Sequence, residues 1–178
     1  VDKQSFLAAS GGPAAGIPTG ALTPHGLPGS DPSANLLPNG ADFSGDLEQA
    51  RAELDACGRP DGFAVNLSYL DQDPEPERAR AVKESLARVG ITVNLKKGDR
   101  ANYFTTIVGS PATIRRDRLG VASAGRSSQL PTTAGFWREF AHGDSIQAVA
   151  NPNIAALDNP AINRLIDRSL TTGPDQWA

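Results

Sequence analysis

The side chains with most capacity for chemistry stand together behind an apolar run. Leu119 to Ala124 reads as a buried strand, and the chain then continues Gly125, Arg126, Ser127, Ser128, Gln129, Leu130, Pro131 before Phe136 and Trp137. An arginine guanidinium offers a planar fork to a carboxylate or phosphate. Serine hydroxyls and a glutamine amide donate and accept. In open α/β sheets ligands bind beyond the carboxyl ends of strands. Arg126, Ser127, Ser128 and Gln129 are therefore candidate ligand-binding residues, with Pro131 stiffening the exit and Phe136 and Trp137 as an apolar wall. The same polarity also suits a loop that only meets solvent.

Other chemistry finds less support. There is no Gly-x-Ser-x-Gly elbow and no glycine-rich phosphate loop opening a helix. His25 and His142 stand far apart without metal-ligand spacing, and each reads as a loop or cap residue. The single cysteine, Cys57, rules out an internal disulfide and reads as a buried, inert thiol. The Glu75–Arg80 cluster alternates in sign, as a solvated helix face does. Asn66-Leu67-Ser68 matches a glycan acceptor but falls on an expected strand, where the match is fortuitous. No catalytic residue, metal site or cofactor is expected. Net charge is −3 without a basic patch, which gives no footprint for nucleic acid. No apolar run reaches the ~18 residues of a membrane span.

The elements that must position these residues are of α/β type. At 178 residues the chain is long enough for one domain with a real core. Residues 10–40 hold 7 Gly and 6 Pro, which excludes long helices and central strands. Leu22, Leu27, Leu36 and Leu37 are expected to pin this ordered connection to a core. An amphipathic helix follows, with Leu47, Ala50, Leu54 and Cys57 on one face, Gly58 as its cap and Pro60 beyond. Residues 63–70 alternate as a strand. The next helix has Asp73 near its N-cap, prolines in its first turn, Ala79, Val82, Leu86 and Val89 inward, and Gly90 at its end. Residues 91–97 form another strand, so a βαβ unit with parallel strands is expected. Residues 100–110 read as a helix and Pro111 as leading a turn. Residues 135–143 read as a short amphipathic helix. A final helix is capped by Asp158 or Asn159, with Ile162, Leu165 and Ile166 inward.

Both ends read as cut inside structure. The chain lacks methionine, its last residues resemble the start of a helix, and residues 1–10 have helical spacing without a preceding cap.

Several stretches, in order, resemble one family. "VDKQSFLAASGGPAAG" resembles a helix running into a glycine-rich turn. "SGDLEQARAELDACGRPDGFAVNL" resembles a helix, a Pro-Asp-Gly-Phe turn and a strand. "VKESLARVGITVNL" and "NPNIAALDNPAINRLIDRSL" resemble the family's later helix–strand and asparagine-rich segments. The family is that of the family 5 extracellular solute-binding proteins, the dipeptide, oligopeptide and nickel receptors of ABC importers. The wording is similar to that of actinobacterial members.

The resemblance implies a type II periplasmic-binding-protein (venus-flytrap) fold, a mixed sheet with flanking helices. Residues 1–178 would form most of its second lobe, truncated at both ends. It also implies an extracellular lipoprotein that binds a peptide or other small polar solute and works with a membrane permease. Peptide-binding relatives commonly carry Gly-Trp-x-x-Asp-aromatic-Pro after this strand. There the tryptophan lines the cleft and the aspartate pairs with the peptide's α-amino group. This chain has Arg126 in the tryptophan position, Gln129 in that of the aspartate and Leu130 in that of the aromatic. A neutral glutamine cannot supply the charge-assisted bond to an ammonium group, so an anionic or otherwise polar solute fits better. Two other classes stay open: a ligand-sensing domain of a transcriptional regulator, and an enzyme using His142 and nearby acids.

Overall fold

The computed structural model describes residues 1–31, 33–34, 36, 40, 42–125 and 132–172, which pack as two compact units.

The first unit comprises Val1–Gly20, Asn35–Arg100 and Arg118–Ala124. Its frame is the expected βαβ unit. Strand β1 (Ala64–Leu70) is followed by a helix at Glu75–Ala87, and strand β2 (Thr92–Gly98) returns parallel to β1, from Ala64 opposite Thr92 to Leu70 opposite Gly98. Strand β3 (Leu119–Ala122) pairs in parallel on the other side of β1, with an irregularity between Asn66 and Leu67. The strand order is β2-β1-β3, so β1 is central. The antiparallel component of a mixed sheet is not seen among the described residues. Leu67, Ala79 and Val93 form the buried centre, with Val65, Val82, Leu86 and Val121 packed around it.

The first helix, α1 (Lys3–Ala9), does have a cap. Asp2 accepts the Ser5 N–H at 2.9 Å. Partial burial works to raise the Asp2 carboxyl, but bonds from Ser5 and Gln4 and the Arg88 guanidinium outweigh it and hold the group below its ordinary value. Helix α2 (Leu47–Ala56) is capped by Asp46 and buries Leu54. Cys57 departs from its expected burial: it is exposed. It occupies the C-cap, where the chain turns away through Gly58 at φ +73°, so its thiol sits at the helix end and meets the Leu54 carbonyl at 3.2 Å.

The Glu75–Ala87 helix, α3, is capped by Pro74 without a side-chain bond. Asp73 lies one position too early to cap it. Gly90 closes the following turn at φ +83°, against Gly62 at φ +80°. A Cβ on Gly62 would lie 2.2 Å from the Gly90 carbonyl oxygen, so two glycines are what allow the backbones to cross there.

The second unit comprises Ala21–Ala34, Ala101–Asp117 and Gly125–Ala178. The helix expected over 100–110 is a π-helical turn at Tyr103–Ile107, with Tyr103 and Val108 fully buried. Pro111 leads not a turn but helix α4 (Pro111–Arg116), which Ser110 caps. Thr132 caps helix α5 (Thr133–Ala141), and Asn159 caps helix α6 (Pro160–Thr171). Ile166 is inward as expected, whereas Leu165 is exposed. One residue is about 100° of helix, which carries Leu165 off the face that Ile162 and Ile166 share. Between α5 and α6 the chain folds around two fully buried asparagines. Asn153 accepts the Leu157 N–H at 3.0 Å and donates to the Leu157 and His142 carbonyls at 2.8 and 3.1 Å.

The Gly/Pro-rich stretch contains no helix longer than a 3₁₀ turn at Gly12–Ala15 among its described residues. Leu22 and Leu36 are exposed and Leu27 is half-buried, against their expected anchoring role; Leu37 lies outside the described residues. Hydrogen bonds hold the stretch instead. Lys3 Nζ donates to the Thr19 carbonyl at 2.5 Å in the first unit, and Trp137 Nε1 donates to Thr23 Oγ1 at 3.1 Å in the second.

Candidate functional site

Because the strands run parallel, their carboxyl ends at Leu70, Gly98 and Ala122 lie along one edge of the sheet. The pairing of β3 extends one residue beyond the strand, where the Ser123 N–H donates to the Ser68 carbonyl at 2.8 Å. The Ser123 hydroxyl donates to Glu75 Oε2. The other Glu75 oxygen accepts from Arg78 Nη1 at 2.6 Å. Arg78 Nε donates to Ser10 Oγ at 2.8 Å, and its guanidinium lies 5.6 Å from the centre of the Phe6 ring.

This corrects the solvated-face reading of Glu75–Arg80. Glu77 and Arg80 are 46% and 59% exposed, but Glu75 and Arg78 only 18% and 28%. The sequence reading missed this network because its partners are far apart in the chain. The available signal was an acid in the first helical turn behind a strand, with an arginine three residues on.

Of the candidate ligand residues, Arg126, Ser127, Ser128, Gln129 and Pro131 lie outside the described residues. Phe136 and Trp137 stand together on α5 with ring centres 5.2 Å apart, edge to face, and Phe136 meets Phe140 in the same way at 4.8 Å. Both are half-buried, and the Trp137 indole is held by Thr23. A groove of about 310 Å³ opens at the N-terminal end of α5, lined by Pro28, Thr132, Thr133, the α6 residues Ser169 and Leu170, and the α6 C-cap Thr172 among others.

His142 is a cap residue, as its sequence position suggested. It is buried, its Nδ1 accepts the Asp144 N–H at 3.0 Å, and its Nε2 faces Asp167 at 3.3 Å. The Nδ1 bond caps the turn that follows α5, while the buried Nε2 makes no hydrogen bond to the described residues. His25 is exposed in a loop. Among the described residues no cluster of histidine, cysteine and acids could hold a metal, and no helix is long and apolar enough to cross a membrane. Ser68 is buried in β1, which removes the glycan-acceptor reading of Asn66.

The family model of bacterial extracellular solute-binding proteins, family 5 Middle, matches residues 1–165. A solved structure of clavulanic acid biosynthesis oligopeptide binding protein 2 is 40% identical with a TM-score of 0.92, covering 99% of this chain and 32% of that one. The binding protein AgaA of A. tumefacien R10, in complex with agropinic acid, is 25% identical with a TM-score of 0.72, covering 97% of this chain and 33% of that one. Helicobacter pylori DppA, in complex with peptide STSA, shares the fold at 19% identity and a TM-score of 0.67, covering 82% of this chain and 26% of that one. No curated protein matches. The chain thus spans about a third of the length of the first two relatives. Its parallel sheet with flanking helices is that of a type II periplasmic-binding-protein lobe. The chain belongs to the bacterial extracellular solute-binding proteins of family 5, a family that binds solutes rather than transforming them.

Proposed function

We propose that this chain is part of the receptor of an ABC importer and supplies one wall of its solute cleft. The observation that carries the reading is the family match over residues 1–165. The likeness to an oligopeptide binding protein at 40% identity adds to it. In this reading residues 1–178 form most of the second lobe, with residues 10–40 as an ordered connection within it. The full-length protein is an extracellular lipoprotein that delivers a solute to a membrane permease. It acts by closure of two lobes on the solute, without chemistry. The comparisons give no support to a transcriptional-regulator role. An enzyme would need an acid–base pair near Gln129, a residue that lies outside the described residues.

We assign the solute contacts to Arg126, Ser127, Ser128, Gln129 and Pro131, with Phe136 and Trp137 as an apolar wall. Arg126 pairs with an anionic group of the solute, and Gln129 leaves the ammonium group of a peptide without its usual anion. The complex of AgaA with an acid is consistent with this preference. The test is the double variant Arg126→Trp, Gln129→Asp in the full-length protein, titrated with the tetrapeptide Ser-Thr-Ser-Ala and its N-acetylated form. A charge-assisted bond is worth ~1.5–3 kcal/mol, so the free-amine peptide gains about tenfold or more in affinity and the acetylated one does not. Equal affinities for wild type and variant would sink the assignment.

A further inference from the structure

We propose that Glu75 is a positioning residue: it fixes the carboxyl end of β3, the point from which the chain leaves the sheet for the candidate ligand residues. The consequence for solute binding rests on the proposed function; the anchoring itself does not. Strand β3 is four residues long, lies at the edge of the sheet among the described residues and pairs with an irregular register, so its backbone ladder constrains it weakly. The Ser123 hydroxyl on Glu75 Oε2 adds a side-chain anchor one residue past its end.

That carboxylate cannot swing freely. Its second oxygen is held by Arg78, which is fixed in turn by Ser10 and the Phe6 ring. Glu75 also stands in the first turn of α3, where the helix dipole favours a negative charge. The same helix supplies an internal control. Glu77 and Arg80 have the same i,i+3 spacing but are about twice as exposed. A helix-face ion pair would resemble that second pair. Glu75 instead ties the end of α1, the start of α3 and the end of β3 into one relay.

The experiment is amide hydrogen exchange, read by mass spectrometry, on the full-length protein and its Glu75→Gln, Ser123→Ala, Ser123→Thr and Glu77→Gln variants. Anchoring predicts that Glu75→Gln and Ser123→Ala speed exchange at Leu119–Gly125 about tenfold, with β1 and β2 within about twofold of wild type. Ser123→Thr keeps the hydroxyl and exchanges like wild type, as does Glu77→Gln. Uniform acceleration of all three strands, no change at Leu119–Gly125, or a Ser123→Thr variant as fast as Ser123→Ala would each overturn the proposal. No solute is needed, so a protein that failed to bind the predicted solute would leave this result standing.

Discussion

Asp2 shows how much a single side chain carries at the residue scale. It caps α1 through the Ser5 N–H and lies 3.7 Å from Arg88. Replacing it with alanine costs about 1 kcal/mol of stability near neutral pH. The sign of the pH dependence follows from its lowered pKa. A carboxyl held below its unfolded value stabilises the fold above that value and loses the contribution as pH falls through the folded one. The gap between wild type and Asp2→Ala in denaturant unfolding therefore narrows in acid; a gap constant from neutral to strongly acidic pH would remove the charge from the account. Asp2 was illegible as a cap because so little chain precedes it. Glu75 was illegible for another reason: its partner Ser123 is 48 residues away, and Arg78 and Ser10 are 68 apart. Spacing within a segment does not carry such pairings. The proposed ligand residues read in the sequence as a polar cluster behind a strand, and the roles proposed for Arg126 and Gln129 rest on the resemblance.

Local pattern and backbone geometry agree in some elements and part in others. The β1-α3-β2 unit was legible because alternation, an apolar helix face and a closing glycine all point one way. The π-helical turn was not. Val108 N–H reaches back five residues to the Tyr103 carbonyl at 2.9 Å, a spacing that an apolar pattern of period 3.6 does not announce. Helix α4 had its signal, a serine followed by a proline at the first helical position, and the turn reading passed over it. Two tests belong here. Gly90→Ala places a Cβ 2.9 Å from the Asp61 carbonyl at φ +83°, and destabilises the first unit by on the order of 2 kcal/mol. An unchanged unfolding midpoint would show that the Gly62–Gly90 crossing relaxes. Asn153→Ala strips the 142–157 segment of its bonds to Leu157 and His142 at a buried position. It costs about 2–4 kcal/mol, with faster amide exchange concentrated between α5 and α6. Exchange spread evenly over the molecule would contradict a local organising role.

At the scale of the whole molecule, the proposed choice of solute is at stake. The chain spans about a third of the length of its solved relatives, and a ligand site buries most of its ligand's surface. The isolated 178-residue chain is therefore expected to bind a solute at least about a hundredfold more weakly than the full-length protein, since one wall cannot desolvate it. Equal affinity in calorimetry would place the entire site within this chain. The central claim is that the family's cleft here takes a polar, anionic solute rather than a peptide held by its amino terminus. Mass spectrometry of the full-length protein, native and then denatured, tests it most directly by weighing whatever small molecule co-purifies. The account predicts an acidic, non-peptide mass released on denaturation. A peptide with a free α-amino group would contradict it and would require some group other than Gln129 to anchor the amine.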